Sequence, residues 1–403
     1  MINNILYRSL LFLACMSVYS GMQASDDHKP LLTADGPYII HNVDGSTRVV
    51  SVSLEGHVSD TTYTALPANF SFEVVSHDGQ HRFPVSLHQV ERPQCFYPQP
   101  DKLFVMSDPH GDLDCAVSLL KAGGVIDNNY RWAYGRNSLM VIGDVMDRGN
   151  DATQILWLLY KLEQEAAEAG GSVHFLLGNH EPMVLMNDLR YTKEKYLLLA
   201  ERMMLEYPQL LSRGSVLGYW LSTRNTIEKI GRSLFVHAGI SREFLDLGLS
   251  LPMVNEHVSH GLWMNKQQRR ADSPLTWFLF ASKGPLWYRG MVRQEERYSP
   301  IATDTLDMVL RHFDVDRVVV GHTIFPEVTS LHGGRVLAVN VDNKKNRKHH
   351  RTRAILIEGT VVSFVDDDGK GFIPLFFYIF VWSLSNICLS LQKERLMIIN
   401  FFT

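Results

Sequence analysis

Two carboxylates and a guanidinium lie close together in the segment GDVMDRG, residues 143–149, as Asp144, Asp147 and Arg148. Two carboxylates this close raise each other's pKa unless a cation neutralises them. A carboxylate bound to a metal ion and an arginine facing a phosphate would remove that repulsion. The flanking glycines let the backbone turn sharply and approach a ligand closely. The segment indicates a loop that binds a metal ion or a phosphate group, and its interpretation depends on the neighbouring motifs of the chain.

Further potential ligands follow other strand-like runs of the sequence. Alternate residues of an extended chain lie on the same side, so the Asp-x-His triplet after the run 103–106 can present two ligands to one metal ion. Ligands of α/β proteins bind at the carboxyl ends of strands. Core packing would account for a single histidine at one strand end, but not for potential ligands at five strand ends in succession. The residues at these ends are Asp108, His110, Asp144, Asn179, His237 and His322.

The elements that must position these residues alternate between strand and helix from Lys102 onwards, which is typical of an α/β domain. The apolar runs predict strands at 103–106, 138–142, 172–177, 233–236 and 318–320, and helices at 113–122, 152–169 and about 193–204. The preceding residues alternate apolar and polar with turn signals, so a small β-rich segment is predicted at 25–100, with strands at 47–54, 70–75 and 82–87.

Composition bounds the class of protein. The chain has 403 residues, 45% of them hydrophobic, which is enough for a substantial core and for two or three domains. A net charge of −4 argues against nucleic acid as the partner.

Residues 1–24 read as a signal peptide, so we expect an exported protein in a periplasm, a secretory lumen or the extracellular space. Cys95 and Cys115 are either a disulfide or two buried thiols, and the sequence leaves both open.

Two C-terminal segments allow more than one interpretation. Residues 344–353 are predicted to be a basic loop between strands at 336–341 and 354–357, and a solvated loop is favoured over a patch that attracts anions. Residues 372–391 form an apolar run of about membrane-spanning length, followed by Lys393 and Arg395. This run is either a membrane anchor or an artefact of gene prediction.

The motifs SDPHG, GDVMDRG, GNHE, VHAG and GHT occur in this order between about residues 100 and 365. Together they resemble the calcineurin-like metallophosphoesterases, in particular the phosphoprotein phosphatase superfamily, although Ser107 stands where the first motif normally has glycine. Segments 179–191, 218–237 and 284–290 look like the bacterial-type Shewanella-like phosphatases, a branch associated with phosphotyrosine hydrolysis. The resemblance implies an α/β fold of the αββα type, a central β-sandwich flanked by helices, at 101–368, with a tail at 369–403.

The resemblance also implies a centre for two divalent transition-metal ions. The first ion would be bound by Asp108 and His110, Asp144 would bridge both, and the second would be bound by Asn179, His237 and His322. Mixed oxygen and nitrogen donors suit manganese, the first choice for work in vitro, or iron or zinc.

The same resemblance implies roles for the residues around the metals. Arg148 and Arg289 would clamp the phosphoryl oxygens together with Asn179, since the guanidinium fork matches phosphate geometry. A metal-bridging hydroxide would attack phosphorus in line. His180, oriented by Asp147, would protonate the leaving oxygen as the general acid.

The expected function is therefore that of an exported, metal-dependent phosphoprotein phosphatase with a preference for phosphotyrosine, acting on a phosphorylated protein or peptide. One alternative is a hydrolase of dinucleoside polyphosphates or other small phosphoesters, because the motifs serve both and the pocket walls would decide. The other is an inactive phosphoprotein-binding module, which a lack of bound metal would favour.

Overall fold

The structure is a computed structural model that describes residues 32–366 and a short strand at 373–374. The predicted signal peptide and, apart from that strand, the apolar run at 372–391 lie outside the described residues. Within the described part of the chain, no helix is both long and apolar enough to cross a membrane.

Seventeen strands are described. They are β1 Asp35–His41, β2 Thr47–Val52, β3 Val58–Tyr63, β4 Ser71–Val75, β5 Arg82–Ser86, β6 Phe96–Tyr97, β7 Leu103–Met106, β8 Ser138–Ile142, β9 Ser172–Leu176, β10 Ile227–Ile230, β11 Ser233–Val236, β12 Arg317–Val320, β13 Thr329–Leu331, β14 Val336–Ala338, β15 Ala354–Glu358, β16 Val361–Val365 and β17 Ile373–Pro374.

The α-helices of the same residues flank these strands. They are α1 Leu113–Ala122, α2 Ala152–Glu168, α3 His180–Leu185, α4 Glu194–Arg202, α5 Tyr207–Leu210, α6 Val216–Thr223, α7 Arg242–Asp246, α8 Leu251–Gly261, α9 Lys266–Asp272, α10 Pro274–Leu279, α11 Thr303–Phe313 and α12 Asn343–Lys348.

Two six-stranded sheets form the centre of the fold. One has the order β17-β16-β15-β7-β8-β9 and the other β13-β14-β12-β11-β10-β6. Buried side chains of both sheets pack into one apolar layer that includes Val105, Met140 and Ile142 from the first and Phe235 and Val319 from the second. The predicted β-sandwich flanked by helices is confirmed.

Strand direction brings the functional loops to the same edge of each sheet. In the first sheet β7, β8 and β9 are parallel neighbours, and in the second β11, β12 and β14 are parallel neighbours. Parallel strands need crossover connections, which α1 and α2 supply in the first sheet. The loops after β7, β8 and β9 therefore leave one sheet side by side, and those after β11, β12 and β14 leave the other.

The β-rich N-terminal segment packs on α2. It consists of the antiparallel sheet β1-β2-β3 and the hairpin β4-β5, whereas β6 joins the second central sheet beside β10. The Trp157 indole donates to Pro37 O at 2.9 Å, and its ring lies edge-on to Phe72 with centroids 4.8 Å apart. The segment is thus anchored to the helix that follows the GDVMDRG loop.

The prediction of a loop over the basic residues is wrong at its start, because α12 covers Asn343–Lys348. The side chain of Asp342 accepts a hydrogen bond from the Lys345 amide and so caps the helix. This capping signal was overlooked because the prediction relied on the many basic residues of the segment. The strand predicted at 336–341 also ends early, at Ala338.

Cys95 and Cys115 are both buried free thiols, so the disulfide alternative is wrong.

Candidate functional site

The loops at the carboxyl ends of five central strands place their polar side chains in one cluster. Six of the seven residues concerned are at most 7% exposed, and His110 is partly buried. The loops after β7, β8, β9, β11 and β12 provide, in turn, Asp108 and His110, Asp144, Asn179 and His180, His237, and His322.

Asp144 lies at the centre of the cluster. Its Oδ2 is 3.2 Å from His237 Nε2, 3.8 Å from His110 Nε2 and 3.9 Å from His180 Nε2. It belongs to two groups of potential ligand atoms, one with His110 and His180 and the other with His237 and His322, and the atoms of each group lie within 4.8 Å of one another. One carboxylate therefore faces two candidate metal positions.

Asp108 and Asn179 extend these two groups. Asp108 Oδ2 lies 4.0 Å from His110 Nε2, and Asn179 Oδ1 lies 3.1 Å from His237 Nε2. Two of the imidazoles are oriented by the backbone, because His110 Nδ1 donates to Met146 O at 3.0 Å and His237 Nδ1 donates to Ile142 O at 2.8 Å. This leaves Nε2 of His110 as the lone-pair nitrogen, as in many metal-binding histidines. Burial opposes the charged form of His237, but Asp144 raises its pKa to about 9, so His237 would have to lose its Nε2 proton to bind a metal ion.

The buried polar atoms fit a pair of cations. His322 Nε2 is buried and makes no hydrogen bond to any described residue, which is costly unless something absent from the polypeptide pairs with it. The two carboxylates, the amide oxygen and the imidazoles are the mixed donors that divalent transition metals accept.

The shifted pKa values of the clustered side chains reflect the same balance of charges. Burial raises the pKa of Asp108 to about 7, so its anionic form lacks a sufficient counter-charge. Burial lowers the pKa of His110 to about 4 and that of His322 well below its usual range, which keeps both imidazoles neutral at pH 7. Burial opposes ionisation of Asp144 too, but the neighbouring His237 and His180 hold its pKa well below the usual range.

The backbone of the site is strained. Left-handed φ angles are uncommon for residues with a side chain and concentrate at functional sites. They occur here at Asp108 (48°), His110 (43°), Asp144 (54°), Asp147 (69°), Arg148 (67°) and His322 (60°).

Glu181 holds the GDVMDRG loop in this conformation. Its fully buried carboxylate accepts from the amides of Asp144 (3.1 Å), Val145 (2.8 Å), Met146 (3.1 Å) and Gly178 (2.7 Å). Gly178 is required for the close approach, since a Cβ there would lie 2.2 Å from Asp144 Oδ1. Glu181 was not among the site residues predicted from the sequence, although a carboxylate directly after Asn-His was a visible signal.

His180 is oriented by a chain of two hydrogen bonds. Its Nδ1 donates to Asp147 Oδ2 at 2.7 Å, and Asp147 Oδ1 accepts from the Thr192 hydroxyl at 2.7 Å. The ring therefore presents Nε2 towards the ligand cluster, 3.9 Å from Asp144 Oδ2.

The two arginines lie on different loops near the cluster, and Arg148 lines the same cavity as Asp108 and His110. Arg289 Nη1 donates to Thr323 Oγ1 at 2.8 Å and to His322 O at 3.3 Å. Arg148 is exposed, and its guanidinium carbon lies 5.3 Å from the ring centroid of Tyr191.

Residues 102–326 match the family described as calcineurin-like phosphoesterase. The chain belongs to this family. The crystal structure of the cold-active protein-tyrosine phosphatase of a psychrophile Shewanella species matches it with a TM-score of 0.75 and 31% identity, covering 85% of this chain and 99% of that one.

Two relatives extend the likeness. Shewanella-like protein phosphatase 2 of Arabidopsis thaliana is 27% identical over 274 residues, which are 57% of this chain and 68% of the relative. An uncharacterised protein of Schizosaccharomyces pombe is 30% identical over 253 residues, 60% of this chain and 73% of the relative. The predicted resemblance to calcineurin-like and Shewanella-like phosphatases is confirmed, and the chain is an enzyme of a phosphatase family.

In this phosphoesterase, Asp108 is held by two side chains that were not predicted from the sequence to take part in the site. Asn340 Nδ2 donates to Asp108 Oδ2 at 2.6 Å, and the Ser107 hydroxyl donates to Asp108 Oδ1. Asn340 lies just beyond β14 and was missed because the predicted strand ran through it. Ser107, which stands where the family's motif has glycine, thus orients the candidate ligand beside it.

Proposed function

We propose that this phosphoesterase is a protein phosphatase that uses two divalent metal ions and prefers phosphotyrosine. The observation that carries the proposal is Asp144, which is shared by two groups of potential ligand atoms beside an oriented imidazole. One ion would be held by Asp108, His110 and Asp144, and the other by Asp144, Asn179, His237 and His322. Manganese, iron or zinc suits these donors. Bound metal would supply Lewis-acid polarisation of water and of the phosphoryl group.

The arginines would bind and orient the phosphoryl group. Arg289 is half-buried and fixed by Thr323, so its guanidinium is pre-organised next to His322. Arg148 is exposed and lies over Tyr191, so it meets the phosphoryl group from the solvent side. Bidentate hydrogen bonds from guanidinium groups are well suited to this task.

His180 would protonate the leaving oxygen. With Nδ1–H donated to Asp147, the proton available for transfer is on Nε2, which faces the site. A phenolate leaving group, whose conjugate acid has a pKa of about 10, needs this proton less than an alkoxide does. A phosphotyrosine ester is therefore the easier substrate for this acid.

Aromatic residues beside the site support the same preference. Tyr191 is 45% exposed and its ring centroid lies 5.3 Å from that of His180. The half-buried Trp287 is edge-on to His322 with centroids 5.7 Å apart. Rings in these positions would pack against an aromatic leaving group, because offset and edge-on aromatic pairs are favourable.

The test is phosphate release by the full chain, loaded with manganese, from matched phosphotyrosine and phosphoserine peptides. Asp144→Asn is the control, and we expect it to be inactive on both. Faster release from the phosphotyrosine peptide is the expected result. Release from dinucleoside polyphosphates alone, or fewer than two transition-metal ions per chain after reconstitution, would overturn the proposal.

The proposal includes export of the protein, which we infer from residues 1–24 alone. N-terminal sequencing of the protein recovered outside the cytoplasm should begin near residue 25. A mature chain that begins at Met1 would refute it.

A further inference from the structure

A cavity of about 600 Å³ opens from the candidate metal centre towards the N-terminal segment. Asp108, His110 and Arg148 line its inner end. The turn of the β4-β5 hairpin and residues 340–344 line its outer part. Both outer walls lie outside residues 102–326, the part of the chain that matches the phosphoesterase family.

The hairpin turn is fixed to the loops of the site. The His77 amide donates to Asp151 Oδ1 and its Nδ1 donates to Asp151 Oδ2, both at 2.7 Å. The Asp151 amide in turn donates to Gly111 O at 2.9 Å, next to His110. The hairpin is therefore a fixed wall of the cavity and can position a ligand relative to the metal centre.

Away from Asp108, His110 and Arg148, carboxylates outnumber lysines in the lining of the cavity. The carboxylates are Asp78, Asp112, Asp114, Asp151 and Asp342, and the lysines are Lys193 and Lys344.

Three of the five carboxylates lie next to a basic side chain of this chain. Asp112 lies 3.4 Å from Lys344 Nζ, Asp114 pairs with Arg347, and Asp151 pairs with His77.

The other two have no ion-pair partner within 4 Å among the described residues. Asp78 accepts from Ser76 Oγ at 2.6 Å and from the Gln80 amide at 3.1 Å, both within its own turn. Asp342 accepts from the Lys345 amide. One carboxylate without an ion-pair partner within 4 Å among the described residues thus stands on each of the two outer walls.

A buried polar side chain of the same wall also lacks a hydrogen bond. His81 is only 9% exposed, lines the cavity and uses Nδ1 to bond the Tyr130 hydroxyl at 2.9 Å. Its Nε2 makes no hydrogen bond within the described part of the chain, and Asp114 Oδ1 lies 3.4 Å away. This nitrogen is buried beside Asp114, so His81 belongs to the packing of the wall.

We propose that this cavity binds the residues that flank the phosphorylated side chain of a protein substrate, and that Asp78 and Asp342 select a basic side chain there. The inference rests on the proposed phosphatase function. A cavity of about 600 Å³ has the size of a pocket for a whole small ligand and is much larger than a phosphoryl group requires. The unpaired carboxylates would supply the complementary charge for arginine or lysine.

The test compares phosphotyrosine peptides that differ only in the flanking residues: arginine before the phosphotyrosine, arginine after it, or glutamine in both places. Full-length wild-type protein, D78N, D342N and the double variant are compared by kcat/KM at low salt. Both substitutions preserve the local hydrogen-bond acceptor, and asparagine caps a helix as well as aspartate does. Matched thermal unfolding midpoints would confirm that the variants fold.

We expect the wild type to prefer one arginine peptide by roughly two- to thirtyfold, the range for two exposed charge pairs. The preference should disappear in the double variant and fall at high salt, because exposed pairs are screened. Turnover of p-nitrophenyl phosphate, which does not reach the outer walls, should stay unchanged. Equal rates for all peptides in the wild type, or an undiminished preference in the double variant, would overturn the inference. A wild type that fails to hydrolyse p-nitrophenyl phosphate would instead refute the proposed function.

Discussion

Replacing His180 with asparagine should slow the enzyme to a degree that depends on the leaving group. In the structure His180 Nδ1 is donated to Asp147 at 2.7 Å, so Nε2 carries the transferable proton. A positioned general acid contributes about 10²- to 10⁴-fold to the rate. At about 1.36 kcal/mol per tenfold, this is roughly 3–5 kcal/mol of barrier.

That contribution is not equal for all esters. The serine alkoxide is far more basic than a phenolate, whose conjugate acid has a pKa of about 10. We therefore expect the loss to be near the upper limit for phosphoserine and near the lower limit for phosphotyrosine. It should be smallest for p-nitrophenyl phosphate, whose leaving group is more acidic than tyrosine.

The assay is kcat at saturating substrate for H180N and wild type across these substrates and a series of aryl phosphates. A plot of log kcat against leaving-group pKa should be steeper for the variant. D147N keeps the imidazole but weakens its charge-assisted hydrogen bond, which is worth about 1.5–3 kcal/mol. It should give a smaller loss with the same order of substrates.

One outcome would refute this reasoning. His180 Nε2 lies close enough to Asp144 and His110 to be grouped with them as a potential metal ligand. If His180 binds metal instead of donating a proton, H180N should lose bound metal and slow every substrate by the same factor. Metal content measured on the same preparations separates the two roles.

Three further predictions concern the architecture around the site. Gly178→Ala should lower the free energy of unfolding by about 1–3 kcal/mol or more and reduce metal content, since its Cβ would lie 2.2 Å from Asp144 Oδ1; unchanged urea denaturation would contradict the geometry. The hydrogen bond to Asp151 raises the pKa of His77, so the pair stabilises the fold fully below the unfolded-state pKa of about 6.5 and loses this effect as pH rises through the folded-state value. His77→Gln should accordingly cost less than about 1 kcal/mol at pH 6 and progressively less at higher pH, and a gap in unfolding free energy that widens with pH would be inconsistent with this. Chelation should lower the thermal midpoint and added manganese should restore it, because metal that binds only the folded state stabilises it; a midpoint indifferent to metal would count against the ligand groups.

Local patterns in the sequence account for much of the fold. The strands at 103–106, 138–142 and 233–236 were predicted to the residue, because strands buried on both faces read as uninterrupted apolar runs. The helix Leu113–Ala122 was bounded by Asp112, whose side chain caps it, and by Gly123. The ligand candidates were visible for the same reason, since each lies within four residues of the end of such a strand.

Only the tertiary structure decided how these pieces meet. Asn340 and Asp108 are hydrogen-bonded although 232 residues separate them, and no local pattern connects them. Glu181 acquires its role from four amides on two loops, and the hairpin at His77 becomes a wall of the cavity because Asp151 binds it. Periodicity, caps and turns act between neighbours in sequence, so the chain alone determined which residues could do chemistry and at which strand ends. The packing of two sheets, which depends on contacts between distant segments, determined which of them share a site.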